Sequence, residues 1–204
     1  MIAASVRSPR KPKGSGAERR EEILDHALKL FSEYGVHTVT TRQIAAAVGI
    51  SQPSLYAYFP TKQALVEEVS ARAFQALSSR MQQVSHTLRG VRRIEALARV
   101  YIDFGLEQPD AYRVAFMLEP TRSSEPGQPD PILQAGLSAF DGLRQAVAVE
   151  LGEGRTDEQI DLLAQSFWAA THGLVSLLIA RPNFPWCDRE ALIEFHLKRL
   201  AAGF

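Results

Sequence analysis

The chain has 204 residues, 46% of them apolar and 23% charged, which suits one or two folded domains and excludes disorder over most of the length. Its longest near-apolar run, residues 173–180, falls far short of the ~20 residues a membrane-spanning helix needs, no apolar segment follows Arg7, Arg10, Lys11 and Lys13 to make a secretory signal, and a single cysteine, Cys187, excludes an internal disulfide or a cysteine-based zinc site, so a cytoplasmic protein without cofactor or metal is expected. The 23 basic and 23 acidic side chains cancel, yet residues 1–62 hold nine Lys/Arg against five acids and the remainder 14 against 18, a basic end joined to an acidic body, as expected where that end meets a polyanion.

Residues 1–16 are rich in Ser, Pro, Gly and Lys/Arg without apolar periodicity and read as a flexible basic arm. Ile23, Leu24, Ala27, Leu28 and Phe31 then form one helical stripe, stopped by Gly35. Thr41 is placed to cap a short helix running to about Val48, with Ile44, Ala45 and Val48 inward; Gly49 breaks it. Ser51 caps a third helix, with Pro53 in its first turn, ending near Phe59-Pro60. Thr61 caps a long fourth helix through Leu65, Val69 and Phe74 to roughly His86.

Further on, residues 92–106 are predicted helical with Ile94, Leu97, Ala98, Tyr101 and Leu106 in register, and a helix near 109–118 carries Tyr112, Phe116 and Met117. Residues 119–129 are polar and Pro-rich, a loop. Asp130-Pro131 opens a helix with Leu133, Leu137, Phe140, Val147 and Leu151 inward. Thr156 and Gln159 make a capping-box pattern for a helix to about Arg181. After a turn at 183–186, Asp188 caps the last helix through Leu192, Phe195, Leu197 and Leu200. No hairpin alternation occurs, so the expected fold is all-α with about nine helices.

Two short helices joined by the tight turn Val48-Gly49-Ile50-Ser51 occupy residues 41–60. This is the layout of a helix-turn-helix, whose second helix enters the ~12 Å wide major groove of B-DNA. The presented residues are Ser51, Gln52, Pro53, Ser54, Tyr56 and Tyr58, with no Lys or Arg among them. Gln52 is suited to adenine, and Pro53 or Ala57 to a thymine methyl. Thr41 and Lys62 stand at helix N-termini, which attract phosphate, and Arg42 with Tyr56 or Tyr58 adds phosphate contacts. The arm is expected to follow the backbone or the minor groove.

Residues 20–65 resemble the N-terminal domain of the tetracycline-repressor (TetR) family. The likeness rests on Ile23-Leu24, Ala27, Leu30-Phe31, Gly35, Thr40-Thr41, Ile44-Ala45, Val48-Gly49-Ile50-Ser51, Leu55-Tyr56-Ala57-Tyr58-Phe59, Lys62 and Ala64-Leu65. It implies a DNA-binding domain over residues 17–64 and a ligand-binding and dimerisation domain over 65–204. It further implies a homodimer that binds a palindromic double-stranded operator as a repressor and is released by a small-molecule effector, with operator-binding roles for Thr41, Arg42, Ser51, Gln52, Ser54, Tyr56, Tyr58 and Lys62. Pro53 and Gln63 depart from the usual residues of that pattern. Tyr101-x-x-Phe104, Pro109-x-x-Tyr112, Phe116-Met117 and Trp168-x-x-x-His172-Gly173 also resemble the family's C-terminal domain type marked by a Trp…His-Gly signature.

The helix from 156 to 181 has two informative stripes. Trp168, His172, Val175 and Ile179 share one face; with Tyr101, Phe104, Tyr112, Phe116, Met117 and Phe140 they either wall an apolar effector pocket, where His172 or Tyr112 orients the ligand, or form plain core. Ala169, Gly173, Ser176 and Ala180 lie about 100° away. With Leu192, Phe195 and Leu200 they are expected either in a two-fold dimer seam, as the resemblance implies, or against a helix of the same chain. The helix starting at Thr61 would link effector and DNA by setting the separation of two recognition helices, about 34–36 Å for one turn of duplex.

An enzyme is not expected: no Gly-x-Ser-x-Gly, phosphate-binding glycine loop or His-Glu-x-x-His occurs, and His26, His37, His86, His172 and His196 are scattered. Two alternatives stay open, a redox-responsive regulator acting through Cys187 and a DNA-binding protein without a small-molecule effector. A sequence-independent architectural protein is disfavoured by the acidic body, because that class relies on many phosphate contacts.

Overall fold

The computed structural model describes residues 16–84, 87–117 and 131–202. The predicted arm and the predicted 119–129 loop therefore lie outside the described residues, apart from Gly16, which begins the first helix. Nine α-helices and one π-helical turn, with no strand among the described residues, follow in order: α1 (Gly16–Tyr34), α2 (Thr41–Val48), α3 (Gln52–Tyr56), α4 (Lys62–Gln82), α5 (Val91–Glu107), α6 (Pro109–Tyr112) running into the π segment Arg113–Met117, α7 (Pro131–Leu151), α8 (Asp157–Ala180) and α9 (Arg189–Ala201). Contacts group them into two units, one of residues up to Ala73 with Asp110–Ile132, the other of Phe74–Pro109 with Leu133–Phe204. The division falls within α4, later than the 64/65 boundary read from the sequence.

In the first unit the α1 stripe of Ile23, Leu24, Ala27 and Phe31 is fully buried against Val39, Ile44, Ala45, Leu55, Phe59 and Leu65. Gly35, at φ 80°, lets the chain leave α1 through the left-handed region that a Cβ disfavours. Thr40, not Thr41, caps α2. Its Oγ1 accepts from the Gln43 backbone N–H at 3.3 Å, and its own N–H donates to Gln43 Oε1 at 2.8 Å. This reciprocal box needs Gln three residues on, which Thr40 has and Thr41, followed by Ile44, lacks. Gly49 (φ 76°) ends the helix.

Ser51 caps α3 by accepting from Ser54 N–H at 3.2 Å, and Pro53 sits in the first turn where no N–H is needed. Five residues cannot hold a helix alone; Leu55, 1% exposed, anchors it, and the chain turns after Tyr56 rather than at Phe59. Thr61 Oγ1 accepts from Ala64 N–H at 3.0 Å to start α4. Arg20–Glu68 at 3.0 Å and Arg72–Glu21 add surface ion pairs between α1 and α4, each worth at most about 1 kcal/mol. The expected helix at 109–118 is instead α6 plus the π segment, which buries Tyr112 and Val114 and leaves Met117 exposed.

In the second unit α5 packs on α8 and α9. Ile94, Leu97, Ala98 and Tyr101 are buried as read from the sequence; Ile102 and Phe104 are buried too, while Leu106 is only half-buried. On α7 the buried face is Ala139, Leu143, Ala146 and Val147, so Leu133 and Leu137, expected inward, are exposed. The small alanines point inward because they allow close helix approach, a signal that counting large apolar residues misses. Arg144 joins α7 to α8 through Asp161 (2.5 Å) and Asp157 (2.8 Å). Arg99 joins α5 to α9 through Glu190, which holds that carboxylate below its ordinary pKa.

Thr156 and Gln159 form the predicted capping box of α8, and Asp188 caps α9 by accepting from Ala191 N–H at 2.9 Å. By length and composition α8 is long and apolar enough to cross a bilayer, a property that buried helices of globular proteins share; 28% of its most apolar stretch is buried within the chain. The eight-residue run seen in the sequence understates this, because the preceding turns are apolar with isolated polar residues.

Candidate nucleic-acid interface

The α2–α3 pair turns Ile44, Ala45, Val48 and Leu55 to the core and presents mostly polar and small side chains outward. Arg42, Ser51, Pro53, Ser54 and Tyr56 are exposed, and Thr41 and Gln52 are half-buried at the junction of the two helices. Their side chains interlock. Gln52 Nε2 donates to Thr41 Oγ1 at 2.9 Å and to Tyr56 Oη at 3.4 Å, and Thr41 Oγ1 lies 3.2 Å from Tyr56 Oη. Accepting from Thr41 and then Gln52 lowers the pKa of the Tyr56 hydroxyl. Ser51 Oγ is occupied as the helix cap and by Ser54 Oγ at 2.8 Å.

Two residues read as phosphate contacts sit differently from the rest. Tyr58 is half-buried, packed on the apolar core beneath α3. Lys62, the first residue of α4, is half-buried with Nζ 3.5 Å from the His37 carbonyl, and desolvation lowers its pKa. A phosphate beside it would relieve that penalty.

The residues read as effector-binding fall in both units. Tyr101, Phe140, Trp168 and His172 come together in the second unit. Trp168 Nε1 donates to Tyr101 Oη at 3.2 Å, Tyr101 Oη is 3.1 Å from His172 Nδ1, and Ser176 Oγ is 3.1 Å from His172 Nε2. Either neutral tautomer of the imidazole satisfies both of its contacts, since the Tyr101 and Ser176 hydroxyls can each donate or accept. Phe140 stacks at a tilt on Trp168, centroids 5.8 Å apart. Phe104 is buried under the Arg80 guanidinium in the same unit. Tyr112 and Phe116 instead pair with each other in the first unit, centroids 5.0 Å apart, beside the exposed Met117. Ser176, placed by the sequence on the small-residue stripe, bonds His172 one turn away, a contact that its i, i+4 spacing permits.

Burial lowers the pKa of both His172 and His196, the latter partly offset by a hydrogen bond with the Ala170 backbone. The unfolded chain then takes up protons more readily than the folded one. Their contribution is intact above about pH 6.5 and lost as pH falls through the lower folded values. The melting temperature should drop between about pH 7.5 and pH 5.5, and His172→Asn should flatten that slope. An identical slope in His172→Asn would contradict the assignment.

On the small-residue stripe of α8, Gly173 and Ser176 are half-buried. Ala169 and Ala180 are exposed, and a Cβ built on Gly173 would meet no atom within 4 Å. Leu177 and Phe195 are exposed, with Leu192 and Leu200 half-buried on α9. Cys187 is exposed in the turn before α9.

Residues 23–69 match the family of bacterial regulatory proteins described as the tetR family, and residues 94–200 match the tetracyclin repressor-like C-terminal domain. The chain is 31% identical over 204 aligned positions to the nucleoid occlusion factor SlmA of Actinobacillus pleuropneumoniae serotype 5b, covering 93% of both chains. It is 30% identical over 118 residues to the SlmA protein of Haemophilus influenzae strain PittGG, covering 55% of this chain and 53% of that protein, so it spans about half the length of that relative. The fold is also that of a solved tetR-family transcriptional regulator from Streptomyces coelicolor, with a TM-score of 0.67 at 23% identity over 91% of this chain and 80% of that one.

Proposed function

The chain belongs to the tetR family of bacterial regulatory proteins, and on that premise we propose that it is a cytoplasmic transcription regulator that binds duplex DNA through α2 and α3. The observation that carries this reading is the split of α3 into one buried anchor, Leu55, and an outward face of Gln52, Pro53, Ser54 and Tyr56. A helix so held projects its polar side chains at groove depth. Selection from a pool of random duplexes tests it. An enriched inverted repeat, with affinity that falls steeply as salt rises, is the expected result. Enrichment of no sequence would overturn the reading.

The inverted repeat follows from a homodimer, which the open Ala169–Gly173–Ala180 stripe and exposed Phe195 support. Two-fold protein symmetry then mirrors two-fold operator symmetry. The Tyr101–Trp168–His172 group with Phe140 supports a small, mostly apolar effector held by one or two hydrogen bonds, with repression as the output in its absence. Trp168→Ala should blunt release from DNA by any compound that releases the unaltered protein from its selected duplex. Duplex affinity itself should change by less than about threefold, since the indole is on no DNA-facing element. Fluorescence anisotropy with labelled duplex measures both, and lost DNA binding in an intact dimer with an unchanged compound response would contradict it.

The identity with a nucleoid occlusion factor along nearly the whole chain favours a second reading, in which the DNA-bound protein acts in nucleoid occlusion and not at promoters. Mapping the bound sites across the chromosome separates the two: sites confined to promoters favour the first, sites away from them the second.

A further inference from the structure

The three-way contact of Thr41, Gln52 and Tyr56 constrains what the recognition helix can read. Gln52 Nε2 has two hydrogens, and its two acceptors within reach are Thr41 Oγ1 and Tyr56 Oη. With Thr41 donating onward to Tyr56, the set closes inside the protein. What remains for a ligand is the Gln52 Oε1 acceptor and the Tyr56 O–H donor. The usual bidentate pairing of Gln with adenine requires the amide to donate to N7 while accepting from N6. That pairing is unavailable while the amide nitrogen is held.

We propose that Thr41 and Tyr56 act as a bracket that makes Gln52 an acceptor-only reader, selecting bases that offer an exocyclic amine in the major groove, adenine or cytosine. Thr41 is thereby a specificity-positioning residue, and the Tyr56 proton is directed outward to a phosphate oxygen. The proposal rests on the DNA-binding reading and adds to it a base class and a residue that sets it. Guanine and thymine present only acceptors at the matching edge and are rejected, because two acceptors would face each other without a proton.

The test uses the full-length protein and duplexes with a randomised core of about two helical turns (~20 base pairs). Gln52→Ala identifies the read position as the one whose preference it flattens. There the unaltered protein should accept adenine and cytosine about equally and disfavour guanine and thymine. Thr41→Val removes the closer of the two acceptors and frees an amide hydrogen for adenine N7. Adenine should then be favoured over cytosine by ~10-fold, the range of a good bidentate contact. Thr41→Ser, which keeps the hydroxyl, should restore the adenine-or-cytosine profile, and circular dichroism confirms folding of each variant. A unique preference for adenine in the unaltered protein, a preference for guanine or thymine, an unchanged profile in Thr41→Val, or no position flattened by Gln52→Ala would each overturn the bracket while leaving DNA binding standing. Failure to enrich any sequence would overturn the DNA-binding reading itself.

Discussion

Phe195→Glu is expected to give a folded monomer with duplex affinity reduced ~10²-fold or more, the loss that follows when two linked half-site contacts become separate ones. The chain alone has little use for this phenylalanine, which is 65% exposed on α9. Helical content and melting of the isolated chain should therefore barely change. In a two-fold assembly every interface residue occurs twice, so a glutamate here must be desolvated in both copies without a partner. On α8, Leu177 is exposed as well, and that helix carries a long apolar sequence of which the chain buries only part. Sedimentation at micromolar protein reads the oligomer directly. A Phe195→Glu variant that sediments as a dimer with full affinity would place the seam elsewhere.

Phe31→Ala should abolish DNA binding by a different route. Phe31 is fully buried at the centre of the first unit, among Ile23, Leu24, Ala27 and Leu55. Deleting such a ring costs about 3–5 kcal/mol through lost transfer energy and the cavity left behind. That is comparable with the ~5–15 kcal/mol holding a whole domain together. The short helices α2 and α3 have no other floor, so their polar surface would lose its geometry with the core. Urea unfolding should show the midpoint shift, and duplex binding should fall in parallel. Unfolding at an unchanged midpoint would show that the core is organised around another residue.

Much of this architecture was legible because its signals are local. The α1 stripe, the glycine stops at Gly35 and Gly49, the Ser51 and Asp188 caps and the Thr156–Gln159 box each depend on residues within four positions. Where the reading failed, the deciding partner lay elsewhere. Thr41 looks like a cap until Gln43 is seen to serve Thr40, and its hydroxyl then turns toward Gln52 and Tyr56 from the next helix. Leu133 and Leu137 look inward by size, but alanines on the adjacent face make the closer packing. The hydrogen bonds that join Tyr101 to Trp168 and His172 run between α5 and α8, which no periodicity reveals.

The single anchor of α3 has a consequence for how such a protein diversifies. Since Leu55 is the one side chain of that helix buried in the core, mutation at the exposed Pro53 and Ser54 trades one sequence preference for another at little thermodynamic risk. Descendants of one ancestor could thus acquire new genomic addresses while inheriting an unaltered chassis.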